Sequence, residues 1–164
     1  MKNKKVLFIL GITILFLIII MLLKIYDNSS SDLKTYNDTI YFKYNNFWKL
    51  NKYSDLIKLK NEDNVINVYH KNINKSLSYE EIAKLIINNY EYNKITEKDK
   101  MPNINNLDNM TFILEKDDKE ISLTIFKKGT DIIIVEYIST LKKFDFYFDS
   151  VITLNYYIDI KDVK

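Results

Sequence analysis

The 164-residue chain has no cysteine, arginine or glutamine, one proline (Pro102), one histidine (His70), one alanine (Ala83) and two glycines (Gly11 and Gly129). The missing cysteine excludes disulfides, thiol nucleophiles and the acylated cysteine of a bacterial lipoprotein, and it is compatible with export. Two glycines, one of them inside an apolar run, exclude a phosphate-cradling glycine loop. One histidine without cysteine supplies no zinc ligand set. Abundant Ile, Asn, Lys and Tyr beside absent Arg and Gln point to the codon bias of an AT-rich genome. Tyr or Asn enrichment therefore carries little functional weight, and the N-x-[ST] sequons at Asn28, Asn37, Asn74 and Asn109 are expected by chance.

Against these absences stands one long hydrophobic stretch, Val6 to Leu23 (VLFILGITILFLIIIMLL). At helical rise it spans about 27 Å, close to the ~30 Å hydrocarbon core of a bilayer. Inside lipid every backbone polar group must be paired within its own segment, so such a run is predicted to be a transmembrane helix. Lys2, Lys4 and Lys5 precede it, while Lys24, Asp27 and Asp32 follow, which predicts a cytoplasmic N-terminus and an exported remainder. A cleaved signal peptide is the rival reading. The run is longer than a usual signal core, and KIYDNSSSD offers no small-residue cleavage site, which favours an uncleaved anchor. A pilin-like start is disfavoured by the absence of a processing site ahead of the run and of a glutamate just inside it. Gly11-Ile12-Thr13 gives only one small patch for helix pairing.

The expected organisation is a cytoplasmic N-terminus (1–5), an anchor (6–25), a polar linker (26–38), one exported α+β domain (39–160) and a short tail (161–164). Without the four lysines of the anchor and its flanks, 20 lysines face 22 acids, a balance of −2. Such a domain is not built to grip nucleic acid or anionic lipid.

Along the domain, Thr39 to Tyr44, Leu56 to Lys60 and Val65 to His70 alternate apolar and polar residues and are predicted to form a three-stranded meander. Ser78-Tyr79-Glu80-Glu81 fits a capping box opening a helix to about Asn89, with Tyr79, Ile82, Ala83, Ile86 and Tyr90 on one face. Glu91 to Asn109 is polar and reads as a long mobile loop that is functional, disordered or partly strand. Met110 to Lys116, Glu120 to Lys127 and Asp131 to Ser139 form a second meander turned at Asp117-Asp118 and at Gly129. Asp131 to Ser139 (DIIIVEYIS) is nearly all apolar and is predicted to be a central strand covered on both faces. Phe144, Tyr147, Phe148, Val151 and Leu154 follow at helical spacing and predict a terminal amphipathic helix. The order is βββ-α-βββ-α, with helices over an antiparallel sheet.

Chemistry is sparse. His70 could act as a base or ligand, but no Ser, Cys or acidic partner is spaced for a dyad, and its alternation with Ile66 and Val68 suits a strand end. The carboxylates of Glu62-Asp63 and Glu115 to Glu120 match no calcium loop, are interleaved with lysines, and suit solvated hairpin tips. Carboxylate pairs for glycoside cleavage can be drawn almost anywhere among 22 acids and carry no signal. No metal or cofactor site is predicted. The aromatic stretch Tyr36, Tyr41, Tyr44, Phe47, Trp48 and Tyr53 could form a stacking platform or groove for a partner, with Tyr41, Trp48 and Tyr53 as candidate binding residues. The structural alternative buries Tyr44, Phe47 and Trp48 in the core and leaves Tyr41 and Tyr53 exposed.

An opening strand leading through a short turn to Trp (TIYFKYNNFWKL), a capped helix (LSYEEIAKLIINN), further strands and a closing helix (FDFYFDSVITLNYY) together resemble the PsbP/Mog1-like superfamily. The resemblance covers about residues 39–158 and rests on Phe42, Trp48, Ser78, Ile82, Phe148 and Val151, with Asn45-Asn46 where the family usually has a proline. It implies an α/β/α sandwich and a place among small binding or assembly factors that are often membrane-tethered in bacteria. Two functions follow as expectations. The first is a single-pass, extracytoplasmic binding or envelope-assembly module without catalysis, whose partners are the membrane and a protein or envelope component. The second is a cell-surface hydrolase or glycan-acting enzyme using His70 or a carboxylate pair.

Overall fold

A computed structural model describes residues 33–73, 77–98 and 100–161. The Val6 to Leu23 run lies outside them, and among the described residues no helix is long and apolar enough to cross a membrane. The elements are β1 (Leu33–Asn37), β2 (Ile40–Asn45), β3 (Lys49–Lys52), β4 (Leu56–Asn61), β5 (Asn64–Asn72), α1 (Tyr79–Ile87), β6 (Lys94–Lys98), β7 (Asp108–Lys116), β8 (Lys119–Lys128), β9 (Asp131–Thr140), α2 (Phe144–Tyr157) and β10 (Asp159–Ile160).

Seven strands form one antiparallel sheet in the order β3-β4-β5-β9-β8-β7-β6, which puts β9 at its centre as its apolar sequence predicts. Alternation along the strands sorts two cores. Ile132 and Ile134 of β9, with Leu123, Ile125, Phe112 and Leu114, pack against Ile82, Ala83 and Ile87 of α1. Ile133, Val135 and Tyr137 face the other way, onto Phe144, Val151 and Leu154 of α2 and onto Ile40, Phe42 and Tyr44 of β2. A strand buried on both faces has no place for a solvent-facing residue, hence the continuous apolar run.

Turn chemistry fixes the hairpins. The first central residue of each tight turn is left-handed: Glu62 (φ 52°), Asp117 (φ 53°) and Gly129 (φ 62°). Such turns match the twist of the flanking strands, and only the third uses the residue that adopts this conformation without a Cβ penalty. The capping box forms as predicted: the Glu81 amide donates to Ser78 Oγ at 3.2 Å and the Ser78 amide donates to Glu81 Oε2 at 2.8 Å. Two otherwise orphaned donors are satisfied, a contribution of about 1 kcal/mol to the start of α1. The buried stripe of α2 also carries Asn155, whose Nδ2 donates to Thr124 Oγ1 at 3.1 Å.

Three expectations need correction. Leu33–Asn37, placed in the polar linker, forms β1 and pairs along its whole length with β2. β2 does not join the meander of β4 and β5; with β1 and β10 it makes a separate three-stranded sheet, and β3 takes the edge beside β4. A strand packed on a sheet and a strand paired within one share the same period-2 pattern, so alternation could not separate these cases. Of the alternatives open for Glu91 to Asn109, the partly stranded one holds: the stretch contains β6, paired with β7 from Lys94↔Glu115 to Lys98↔Thr111. Asp159–Ile160, placed at the end of the domain without assignment, forms β10 on β2.

The registers define two ends of the large sheet. At one lie Lys49, the Asn61–Asn64 turn, the Lys116–Lys119 turn and Thr140. At the other lie Lys52, Asn72, Asp108 and the Lys128–Asp131 turn. Leu33 is paired with Asn45, and the Trp48 amide closes a turn onto the Asn45 carbonyl at 3.2 Å. The chain therefore enters the domain at the first of these ends, called the entry end below.

Candidate functional site

The predicted binding residues are not brought together. Tyr41 lies half-buried on β2 opposite Asn37 and Asp159. Trp48 is only 2% exposed and belongs to the core, while Tyr53 is 55% exposed beyond the far end of β3. The extended strand between Trp48 and Tyr53 separates them by roughly 16 Å. Trp48 and Tyr53 therefore do not share one platform, and Trp48 adjoins an exposed aromatic patch.

That patch is built from the turn before β3 and the first turns of α2. The Trp48 ring meets Phe47 at 5.9 Å and Tyr147 edge-on at 5.9 Å, and Phe47 lies 6.2 Å from Tyr147. Phe146 stands edge-on to Tyr147 at 4.8 Å and is 78% exposed. The four rings run continuously from core to solvent. Their geometry is the tilted and edge-to-face packing that aromatic quadrupoles favour. Phe47, which the structural alternative places in the core with Tyr44 and Trp48, is exposed because it sits in the turn ahead of β3 with only one side against Trp48 and Tyr147, and Phe146 is not among the residues singled out from sequence. Phe146 did carry a signal, because it falls off the apolar stripe of its own amphipathic helix.

Other exposed apolar side chains share this end: Leu33 at the start of β1, Leu141 after β9, Tyr92 after α1, and Ile95 near the start of β6. Charges there are largely matched. Lys143 pairs with Glu62 at 2.9 Å, Lys94 with Glu115 at 2.7 Å, and Lys116 with Glu91. The Lys116 ammonium holds the Glu91 carboxyl below the usual carboxylate range. Such exposed pairs add little to stability, yet they leave a nearly neutral surface in which apolar groups stand out.

The α1 face holds a second polar feature. Glu136 of β9 is 4% exposed. Its Oε2 accepts from Asn67 Nδ2 at 2.5 Å and from the Tyr69 hydroxyl at 3.2 Å, and its Oε1 accepts from the Tyr90 hydroxyl at 2.6 Å. Burial, then the nearby Glu136 charge and its hydrogen bond, push Tyr69 up to about 12. Tyr90 is raised further, first by burial and then by its bond to Glu136. With both oxygens occupied and no open side, Glu136 pins the segment after α1 onto the sheet. Nothing local in the sequence marks Glu136, since its partners lie 46 to 69 residues away.

His70 has an acidic partner after all. Its Nε2 lies 3.0 Å from Asp131 Oδ1, both side chains being half-buried at the far end. Asp131 also accepts from Asn72 Nδ2 at 3.1 Å, and that amide donates to Thr130 Oγ1 at 3.2 Å. The expectation that no acid faces His70 fails because the partner comes from the neighbouring strand. Among the described residues no hydroxyl is hydrogen-bonded to the imidazole. No cluster of three or more His, Cys, Asp or Glu side chains forms among them either. The Asp117-Asp118 tip is a two-residue hairpin turn, and Asn109 is buried with its amide bonded to Met101 and Leu107.

No protein-family model matches the chain, and no curated protein does. Among solved structures it is similar to the solution structure of cyanobacterial PsbP (CyanoP) from Synechocystis sp. PCC 6803. The TM-score is 0.55 at 10% identity, over 80% of this chain and 94% of that one. At such identity the likeness is one of fold, and the chain has a PsbP-like fold.

Proposed function

We propose that this chain is a non-catalytic binding or envelope-assembly module, held at a membrane by Val6 to Leu23, with residues 1–5 cytoplasmic and the domain outside. Its contact surface is the entry end, centred on Phe47 and Phe146. The observation that carries this reading is Phe146, 78% exposed at the head of a ring ladder that leads into the core. A large aromatic side chain in water on a rigid base is the usual anchor of a binding surface. The PsbP-like fold supports a binding module, and tethering raises the effective concentration against any partner at the same membrane.

The test is crosslinking of the full chain in intact membranes. Replacing both Phe47 and Phe146 with Ser is expected to leave folding intact and to remove the adducts, whether they are formed with protein or with lipid. Unchanged adducts with unchanged folding would reject this surface. The enzymatic alternative rests on one observation, the His70–Asp131 pair, and is favoured only if the purified full chain turns over an ester or glycoside in a manner abolished by His70→Asn.

A further inference from the structure

We infer that the entry end docks onto the lipid surface of the tethering membrane, with Phe47, Leu141 and Phe146 inserted at the headgroup level. This rests on the anchored reading above and goes beyond it by naming the partner.

Chain geometry comes first. Between the anchor at 6–25 and Leu33 lie only residues 26–32, which leave Leu33 at most about 28 Å from the end of the anchor when fully extended. β9, with ten residues, is about 30 Å long. Leu33 leaves the domain at the entry end, so bringing the opposite end to the bilayer would take essentially the whole segment at full extension, an entropically costly state. The entry end is within reach without any stretching.

Composition points the same way. Of the exposed large apolar side chains among the described residues, Leu33, Phe47, Tyr92, Ile95, Leu141 and Phe146 gather at this end. The far end carries Tyr53, Ile104 and Tyr156, and Leu85 lies on α1. Aromatic side chains settle at the membrane–water boundary, and lysines such as Lys142 and Lys49 can extend their stems toward headgroups. Charge does not select anionic lipid here. Lys143, Lys94 and Lys116 are already paired with carboxylates, and Asp63, Asp117 and Asp118 occupy the neighbouring turns. Docking is thus driven by apolar insertion and is nearly independent of salt and of lipid charge.

The absence of native cysteine makes the test direct. The full chain is reconstituted into phosphatidylcholine vesicles, with and without phosphatidylglycerol, carrying a fluorescent label at one engineered cysteine: Asp145→Cys beside Phe146, Tyr53→Cys at the far end, or Leu17→Cys in the anchor. Quenching is read with aqueous iodide and with brominated lipid. The expected result is a label at position 145 quenched by brominated lipid and several-fold less by iodide than the label at position 53, equally in both lipid mixtures. Adding Phe146→Ser is expected to restore iodide access at position 145. Equal iodide access at 145 and 53, with the label at 17 quenched by brominated lipid, overturns docking and leaves the anchor standing. A label at 17 untouched by brominated lipid overturns the anchored reading and docking with it. Protection at 145 from both quenchers means protein covers the surface, which also overturns docking to lipid.

Discussion

Asn67 and Glu136 stand directly opposite each other on β5 and β9, and the Asn67 amide donates to the Glu136 carboxylate at 2.5 Å. With Tyr69 and Tyr90 on the same group, the most central strand carries a buried acceptor whose donors all come from other elements. Removing one donor while keeping the acid costs less than removing the acid and stranding three donors. Tyr90→Phe is expected to lose about 1–3 kcal/mol of unfolding free energy in urea, and Glu136→Leu more than that. A Tyr90→Phe, Glu136→Gln cycle should show coupling. Additive effects would mean that the bond at 2.6 Å carries no weight.

Backbone strain at the hairpin tips gives a second expectation. Nothing lies within 4 Å of a Cβ built on Gly129, so the effect of Gly129→Ala comes from its φ of +62° alone. A loss of about 1–2 kcal/mol is expected. Asp117, at φ 53° without being glycine, should respond in the opposite sense. Asp117→Gly is expected to gain about 0.5–1 kcal/mol, reduced by the entropy glycine adds to the unfolded chain. Thermal midpoints moving the same way for both variants would contradict this assignment.

Alkaline stability follows from three tyrosines. Burial is the first cause of the rise to about 12 at Tyr69, Tyr79 and Tyr137, from an ordinary value of 10.0. Tyr79 and Tyr137 also donate to the carbonyls of Asp108 and Phe144. A folded-state value above the unfolded one means the fold prefers the neutral phenol. The stabilising contribution is whole below pH 10 and is lost as pH rises through about 12. Tyrosinate absorbance should show the exposed phenols ionising first and these three only with loss of the folded circular dichroism signal. Ionisation of all tyrosines in one step with the fold retained would disprove it.

These expectations also show where sequence reading stops. α1 was legible because its cap, its periodic face and its acidic first turn are all local. β9 was legible because burial on both faces leaves an unbroken apolar run. β3 (KLNK) and β6 (KITEK) were not, for they are the two edges of the large sheet and their sequences are short and mostly polar. β1 was hidden for a related reason, since it pairs only with β2 and is mostly exposed, and β10 was hidden because two residues carry no period even though Ile160 is buried. The partners of Glu136 and His70 were out of reach because register, set by the whole sheet, brings them together. In the aromatic ladder, Trp48 is core, as the structural one of its two sequence readings has it. Phe47 and Phe146 became visible only once α2 was placed against the turn before β3.

Core and surface roles within the aromatic ladder separate cleanly by stability. Trp48→Ala is expected to lose about 3–5 kcal/mol, as for other large buried rings. Phe146→Ser, with most of its ring already in water, should change stability by no more than about 0.5 kcal/mol. If Phe146→Ser destabilised the fold as Trp48→Ala does, the ring would be a packing element and not a contact residue.

The central claim is that the entry end of an exported domain is covered in its working state while the far end is open. The most direct measurement is the labelling rate of a lone cysteine by a membrane-impermeant maleimide on intact cells carrying the full chain. Tyr53→Cys is expected to label rapidly before lysis. Asp145→Cys should label slowly on cells and at the Tyr53→Cys rate once the protein is purified in detergent. Equal rates at the two positions on intact cells, or labelling of neither until the cells are lysed, would contradict the account.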